Sequence, residues 1–157
     1  ADTILGDFQQ DGGTLAPGDS PGLTEIQGNY DMNGGIIEFE FAGGANPFVD
    51  YDSIKVEGVA TLSGMLDIDL IYPAGGTSPF APVLGDSFLI VDADGGIQGM
   101  PEFDFSGAGL SSGLAWNTND FSSTGRISII AAVPEPTGAL LLALTSCSIL
   151  LRRRRSC

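Results

Sequence analysis

Two ten-residue stretches with the same grammar, twenty-two residues apart, constrain this chain more than any other feature. Residues 6–15 read GDFQQDGGTL and residues 28–37 read GNYDMNGGII. Each runs Gly, polar, aromatic, a polar stretch, Gly-Gly, then two residues ending apolar. Residues 58–66, GVATLSGML, form a looser third copy. Self-similarity at such a period marks units stacked as rungs, none of which can bury its apolar face alone. The pattern predicts an all-β solenoid. The alternative for the same Gly-rich turns is a β-sandwich.

Strand signals agree with either form. Ile37, Phe39 and Phe41 alternate with Glu38 and Glu40; Ile54 and Val56 with Lys55 and Glu57; Leu66, Ile68 and Leu70 with Asp67 and Asp69. A period of two puts apolar groups on one face and charges on the other. Phe88-Leu89-Ile90-Val91 is continuously apolar and predicts one strand covered on both faces. Ile127, Ile129 and Ala131 predict a last strand. Residues 16–22, 43–47, 73–77 and 94–96 are rich in Gly and Pro and predict turns. Helical periodicity is expected only near the C-terminus.

Charge and composition exclude several function classes. The 157 residues hold 20 acidic and 6 basic residues, and four of the basic ones are Arg152–Arg155. Residues 1–151 therefore carry a net charge of −18, with Lys55 and Arg126 as their basic residues. Such a surface repels nucleic acid and anionic lipid. There is no histidine, and both cysteines, Cys147 and Cys157, fall in the tail. That removes His-dependent triads, thiolate nucleophiles and the common soft-metal ligands from the body. No phosphate-binding Gly-Lys loop or dinucleotide fingerprint is present.

Carboxylates remain. Asp50/Asp52, Asp67/Asp69 and Asp92/Asp94 are spaced to share a strand face and are candidates for glycosidic hydrolysis. The same residues also read as the wet face of alternating strands, or as turn residues. Asp92-Ala93-Asp94-Gly95 begins like a calcium loop, but no glutamate follows at the twelfth position. No catalytic residue, metal site or cofactor is assigned. Lys55 is expected to pair with a nearby acid; Glu57 lies two residues on.

The tail has three parts in fixed order. Val133-Pro134-Glu135-Pro136 comes first, and two prolines flanking one residue keep it extended and accessible. Residues 137–151 follow without a charge, carrying Leu140, Leu141, Leu142, Leu144, Ile149, Leu150 and Leu151 as the apolar anchor. Arg152, Arg153, Arg154 and Arg155 close it. As a helix the run spans ~22 Å, short of a ~30 Å hydrocarbon core unless the arginines snorkel. By the positive-inside rule those arginines stay cytoplasmic and residues 1–136 lie on the far side.

This order resembles the PEP-CTERM sorting signal of bacterial surface proteins. The match covers about the last twenty-five residues. The resemblance implies export, transient membrane anchoring by the helix, and processing near Pro134–Pro136 by an exosortase-type membrane protease. It also implies an association with the cell surface and exopolysaccharide. Export requires a leader; because the chain starts Ala1-Asp2-Thr3, a removed leader or a preceding segment is expected.

A second resemblance lies in the body. Residues 13–22, GTLAPGDSPG, with 51–66 and 85–91 after them, look like the corner and the C-terminal part of autotransporter passengers. That resemblance implies a right-handed parallel β-helix, or its terminal portion, with few rungs where passengers are long. A short solenoid must cover its open ends. Residues 100–121, with Phe103, Phe105, Leu110, Leu114, Trp116 and Phe121, are expected to form that cap. The expected organisation is a β domain at 1–131, a linker and sorting motif at 132–136, a transmembrane helix at 137–151 and an Arg-rich cytoplasmic end at 152–157. The expected function is that of a non-enzymatic exported surface or matrix protein. Two alternatives stand beside it. One is a carbohydrate-binding or carbohydrate-cleaving domain using Trp116 and the aspartates; the other is the C-terminal part of a longer adhesin.

Overall fold

The computed structural model describes residues 1–18 and 21–133. The anchor helix and Arg-rich end expected beyond Val133 lie outside the described residues. Among the described residues no helix is long and apolar enough to cross a membrane.

The chain lays down strands in sets of three. The first turn is β1 (Asp2–Ile4), β2 (Phe8–Gln10) and β3 (Thr14–Leu15). The second is β4 (Leu23–Ile26), β5 (Tyr30–Met32) and β6 (Ile36–Phe41). The third is β7 (Ser53–Val56), β8 (Ala60–Leu62) and β9 (Met65–Leu70). After an intervening strand β10 (Ser87–Leu89), the fourth turn is β11 (Val91–Ala93), β12 (Ile97–Gly99) and β13 (Glu102–Asp104). Equivalent strands pair in parallel, giving three four-stranded sheets ordered β1-β4-β7-β11, β2-β5-β8-β12 and β3-β6-β9-β13. This is an all-β domain whose parallel sheets are compatible with a solenoid.

Register shows why the repeat is legible at one end only. Phe8 pairs with Tyr30 and Thr14 with Ile36, at the twenty-two-residue offset of the first two copies. The next turn is displaced by thirty residues at Tyr30↔Ala60 and by one fewer at Ile36↔Met65, where the second copy's Gly34-Gly35 meets a single Gly64. The fourth turn lies thirty-seven residues on, at Ile54↔Val91. The connections after each third strand lengthen, while the first corner keeps the same length in every turn and the second shortens by one residue from the third turn on.

Inward positions stack into columns. Leu15, Ile37, Leu66 and Phe103 follow one another, as do Ile4, Ile26, Val56 and Ala93. Ile26, Val56, Ile37 and Leu66 are fully buried. Each such side chain contributes roughly 1.5–3 kcal/mol. At the first corner Gly28, Gly58 and Gly95 stand above one another. A Cβ on Gly58 would lie 2.8 Å from the Gly28 carbonyl oxygen, and one on Gly95 2.8 Å from that of Gly58. The glycines let successive turns approach closely enough for Gly58 N–H to donate to Gly28 O and Gly95 N–H to Gly58 O, both at 2.9 Å.

Two expectations are corrected here. Residues 88–91 are not one strand. Phe88 belongs to β10, antiparallel to β15 (Arg126–Ala131), whereas Val91 begins β11, parallel to β7. The run is apolar because Phe88, Ile90 and Val91 are all buried where two sheets meet. Nor is 100–121 wholly a cap, since Phe103 sits in β13 of the fourth turn. The covering unit is instead an antiparallel sheet, β10-β15-β14 with β14 at Leu114–Asn117, together with the short helix α1 (Phe121–Thr124). Gly125, left-handed at φ 66°, ends α1 and clamps it to the fourth turn. Its carbonyl accepts Ile90 N–H at 3.0 Å and Val91 N–H at 3.2 Å. Phe121 meets Phe103 edge-on, with ring centres 5.1 Å apart.

Candidate functional site

The strongest chemical feature of the body is a carboxylate ladder on the outer face of the third sheet. β6 turns Phe39 and Phe41 inward and therefore Glu38 and Glu40 outward; β9 does the same with Asp67 and Asp69. Parallel register sets Glu38 opposite Asp67 and Glu40 opposite Asp69, and β13 adds Asp104 beside Asp67. Like charges directly opposite each other repel. Burial and then the charges of Asp69, Asp104 and Glu38 hold the Asp67 carboxyl above its usual range. Burial, Glu38 and Asp69 do the same for Glu40. Among the described residues no group of three or more His, Cys, Asp or Glu is arranged to hold a metal ion.

Asp52 is a different kind of carboxylate. It is only 2 % exposed. Its Oδ1 accepts Gly22 N–H at 2.5 Å and its Oδ2 accepts Glu40 N–H at 2.8 Å. The Asp52 backbone N–H donates in turn to Glu40 O at 3.0 Å. One side chain thus ties the loop before β4 to β6 and to the entrance of β7. Burial pushes its carboxyl up to about 6, outweighing the two backbone donors that favour the charged form. Both oxygens are occupied within the fold, so Asp52 is a clip rather than an acid free to act on a substrate. Sequence pairing of Asp50 with Asp52 missed this. The available signal was parity: Asp52 shares the inward phase of Ile54 and Val56.

Of the two remaining aspartate pairs, Asp92/Asp94 separates as well. Asp50 folds back in its own loop, its Oδ2 accepting Ala45 N–H at 3.2 Å and Asn46 N–H at 2.8 Å. Asp92 points outward from β11 beside Lys55, and Asp94 leaves into the following turn. Only Asp67 and Asp69 share a strand face. Lys55 pairs not with Glu57 but with Glu25 on the neighbouring turn, at 3.8 Å. Register puts Glu25 opposite Lys55, whereas Glu57 lies past the end of the strand.

Trp116 is engaged in packing. It stacks on Phe105 at 5.0 Å, lies 5.8 Å from Phe88, and its Nε1–H donates to Ala108 O at 2.9 Å. Among the described residues, clefts flank the cap on two sides. One, of about 310 Å³, is lined by Leu70, Pro79, Phe80, Ala81, Pro82, Gly107, Gly109 and Ser111. The other, of about 250 Å³, lies between the end of β12 and α1, against Met100, Phe103, Asn119 and Phe121. Neither lining includes a carboxylate.

Of the sorting motif, Val133 alone is described, and it is 85 % exposed. Pro134, Glu135 and Pro136, the apolar anchor and Arg152–Arg155 lie outside the described residues. The chain reaches them from β15, the central strand of the cap sheet, whose last residues are exposed. No family model, curated protein or solved structure matches this chain.

Proposed function

We propose that this chain is a non-enzymatic, exported bacterial surface or matrix protein. In this reading the body is a short right-handed parallel β-helix, the hand that parallel crossovers almost always take. The tail is its address. Residues 137–151 halt translocation as a temporary membrane anchor, Arg152–Arg155 set the orientation, and Val133–Pro136 are presented to an exosortase-type protease. The observation that carries the proposal is the order of the tail: two prolines around Glu135, an uncharged apolar run, then four arginines. The body supports it in charge, because an acidic ladder and only two basic side chains in residues 1–151 suit a soluble exterior domain and no nucleic-acid partner. Extracellular polysaccharide is the partner its proposed location suggests.

The test is C-terminal sequencing of the surface form from cells expressing the whole chain. Loss of residues 140–155 supports processing; their retention leaves a plain anchor. Recovery of the protein in the cytosol would overturn the proposal. One observation favours the longer-adhesin reading as an extension of it: β1, β2 and β3 all occupy sheet edges. Further turns upstream would continue those three sheets, and the gene sequence ahead of Ala1 decides the matter.

A further inference from the structure

The second corner of the second turn carries a chemically labile dipeptide, Asn33-Gly34. Asn33 is exposed. Its backbone N–H donates to Gln10 O at 2.8 Å, and its side-chain Nδ2–H donates to Asp11 Oδ1 at 2.9 Å. The amide therefore straps the second turn to the first. Asp11 also accepts both Gln9 Nε2 bonds, at 2.8 and 3.0 Å. Among the described residues the Gly34 N–H has no acceptor. Gly34 has no side chain to shield that nitrogen, and a Cβ placed there would meet Asp11 O at 3.2 Å. The remaining asparagines are followed by Tyr30, Pro47, Thr118 and Asp120, each bulkier than glycine, and proline has no N–H at all.

We propose that Asn33-Gly34 is a self-modification site whose conversion loosens the first turn of the domain. The Gly34 backbone nitrogen forms a bond to Asn33 Cγ, the Cγ–Nδ2 bond breaks, and the Gly34 amide proton leaves with the nitrogen as ammonia. Water then opens the cyclic imide at either carbonyl, leaving aspartate or isoaspartate. Either product replaces a donor with a carboxylate facing Asp11, so attraction becomes repulsion. Isoaspartate also lengthens the backbone between β5 and β6, where register with β2 and β3 is set. The first turn is the vulnerable one, because β1, β2 and β3 are edge strands whose single neighbours all belong to the turn that carries Asn33. This inference is independent of the proposed export.

The full chain, kept folded at mildly alkaline pH in oxygen-18 water, is mapped by mass spectrometry beside a urea-unfolded sample. The expected result is conversion of Asn33 with uptake of labelled oxygen while the other asparagines persist. Amide exchange in residues 3–15 should then be several-fold faster, with β7–β9 unchanged. Gly34→Ala should slow the conversion. Asn33→Asp, made directly, should loosen residues 3–15 without incubation. An intact Asn33 in the folded chain while the unfolded sample reacts overturns the site. Unchanged exchange in Asn33→Asp overturns the consequence.

Discussion

Asp52 makes stability depend on pH in a direction opposite to that of an ion-paired carboxylate. Its folded-state value of about 6 lies above the unfolded 3.8. Between those values the folded chain binds more protons than the unfolded one, so stability falls as pH rises. At 1.36 kcal/mol per pH unit the loss is about 3 kcal/mol, complete once pH has passed the folded value. Burial of Glu40 and Asp67 among like charges acts in the same sense. Urea unfolding at constant ionic strength from pH 4 to 7.5 measures the slope. Asp52→Asn separates the contributions. Asparagine keeps one acceptor but sets an NH2 against either Gly22 N–H or Glu40 N–H, costing roughly 1–3 kcal/mol at every pH. The variant should be less stable than the wild type in acid, and the two curves should converge toward neutrality. A wild-type stability that rises from pH 4 to 7, or a slope that survives intact in Asp52→Asn, would refute the assignment.

Three further outcomes are expected. Gly58→Ala forces a Cβ to 2.8 Å from Gly28 O and should lower stability by about 2–4 kcal/mol, whereas Gly12, with nothing within 4 Å of its Cβ position, should tolerate alanine nearly unchanged; thermal melts compare them. Leu66→Ala, in the middle of a fully buried column, should cost about 2–5 kcal/mol in denaturant titrations. The Lys55–Glu25 pair is partly exposed at both ends, so a double-mutant cycle should return no more than about 1 kcal/mol of coupling, shrinking with salt.

Particular residues mark what could be read in advance and what could not. The Gly28 and Gly58 copies were visible because a stacked corner admits no side chain there, and the alternation in 37–41 and 66–70 was visible because one face of each strand is wet. The fourth turn escaped notice. Its corner, Asp94-Gly95-Gly96, carries the glycine, but long connections had moved it to a thirty-seven-residue offset that no fixed period detects. The carboxylate ladder was half legible. Outward phase followed from each strand alone, but the pairing of Glu38 with Asp67 and of Glu40 with Asp69 depends on register.

The chain's own order of residues determined the strand phases, the tight corners, the acidic exterior and the three-part tail, because each depends on neighbours within a few positions. Tertiary structure decided that one apolar run serves two sheets, that Asp52 faces inward onto two backbone amides, and that Trp116 is closed in by Phe105 and Phe88. Those outcomes rest on groups brought together across tens of residues, and the contacts that select them exist only once the turns have stacked.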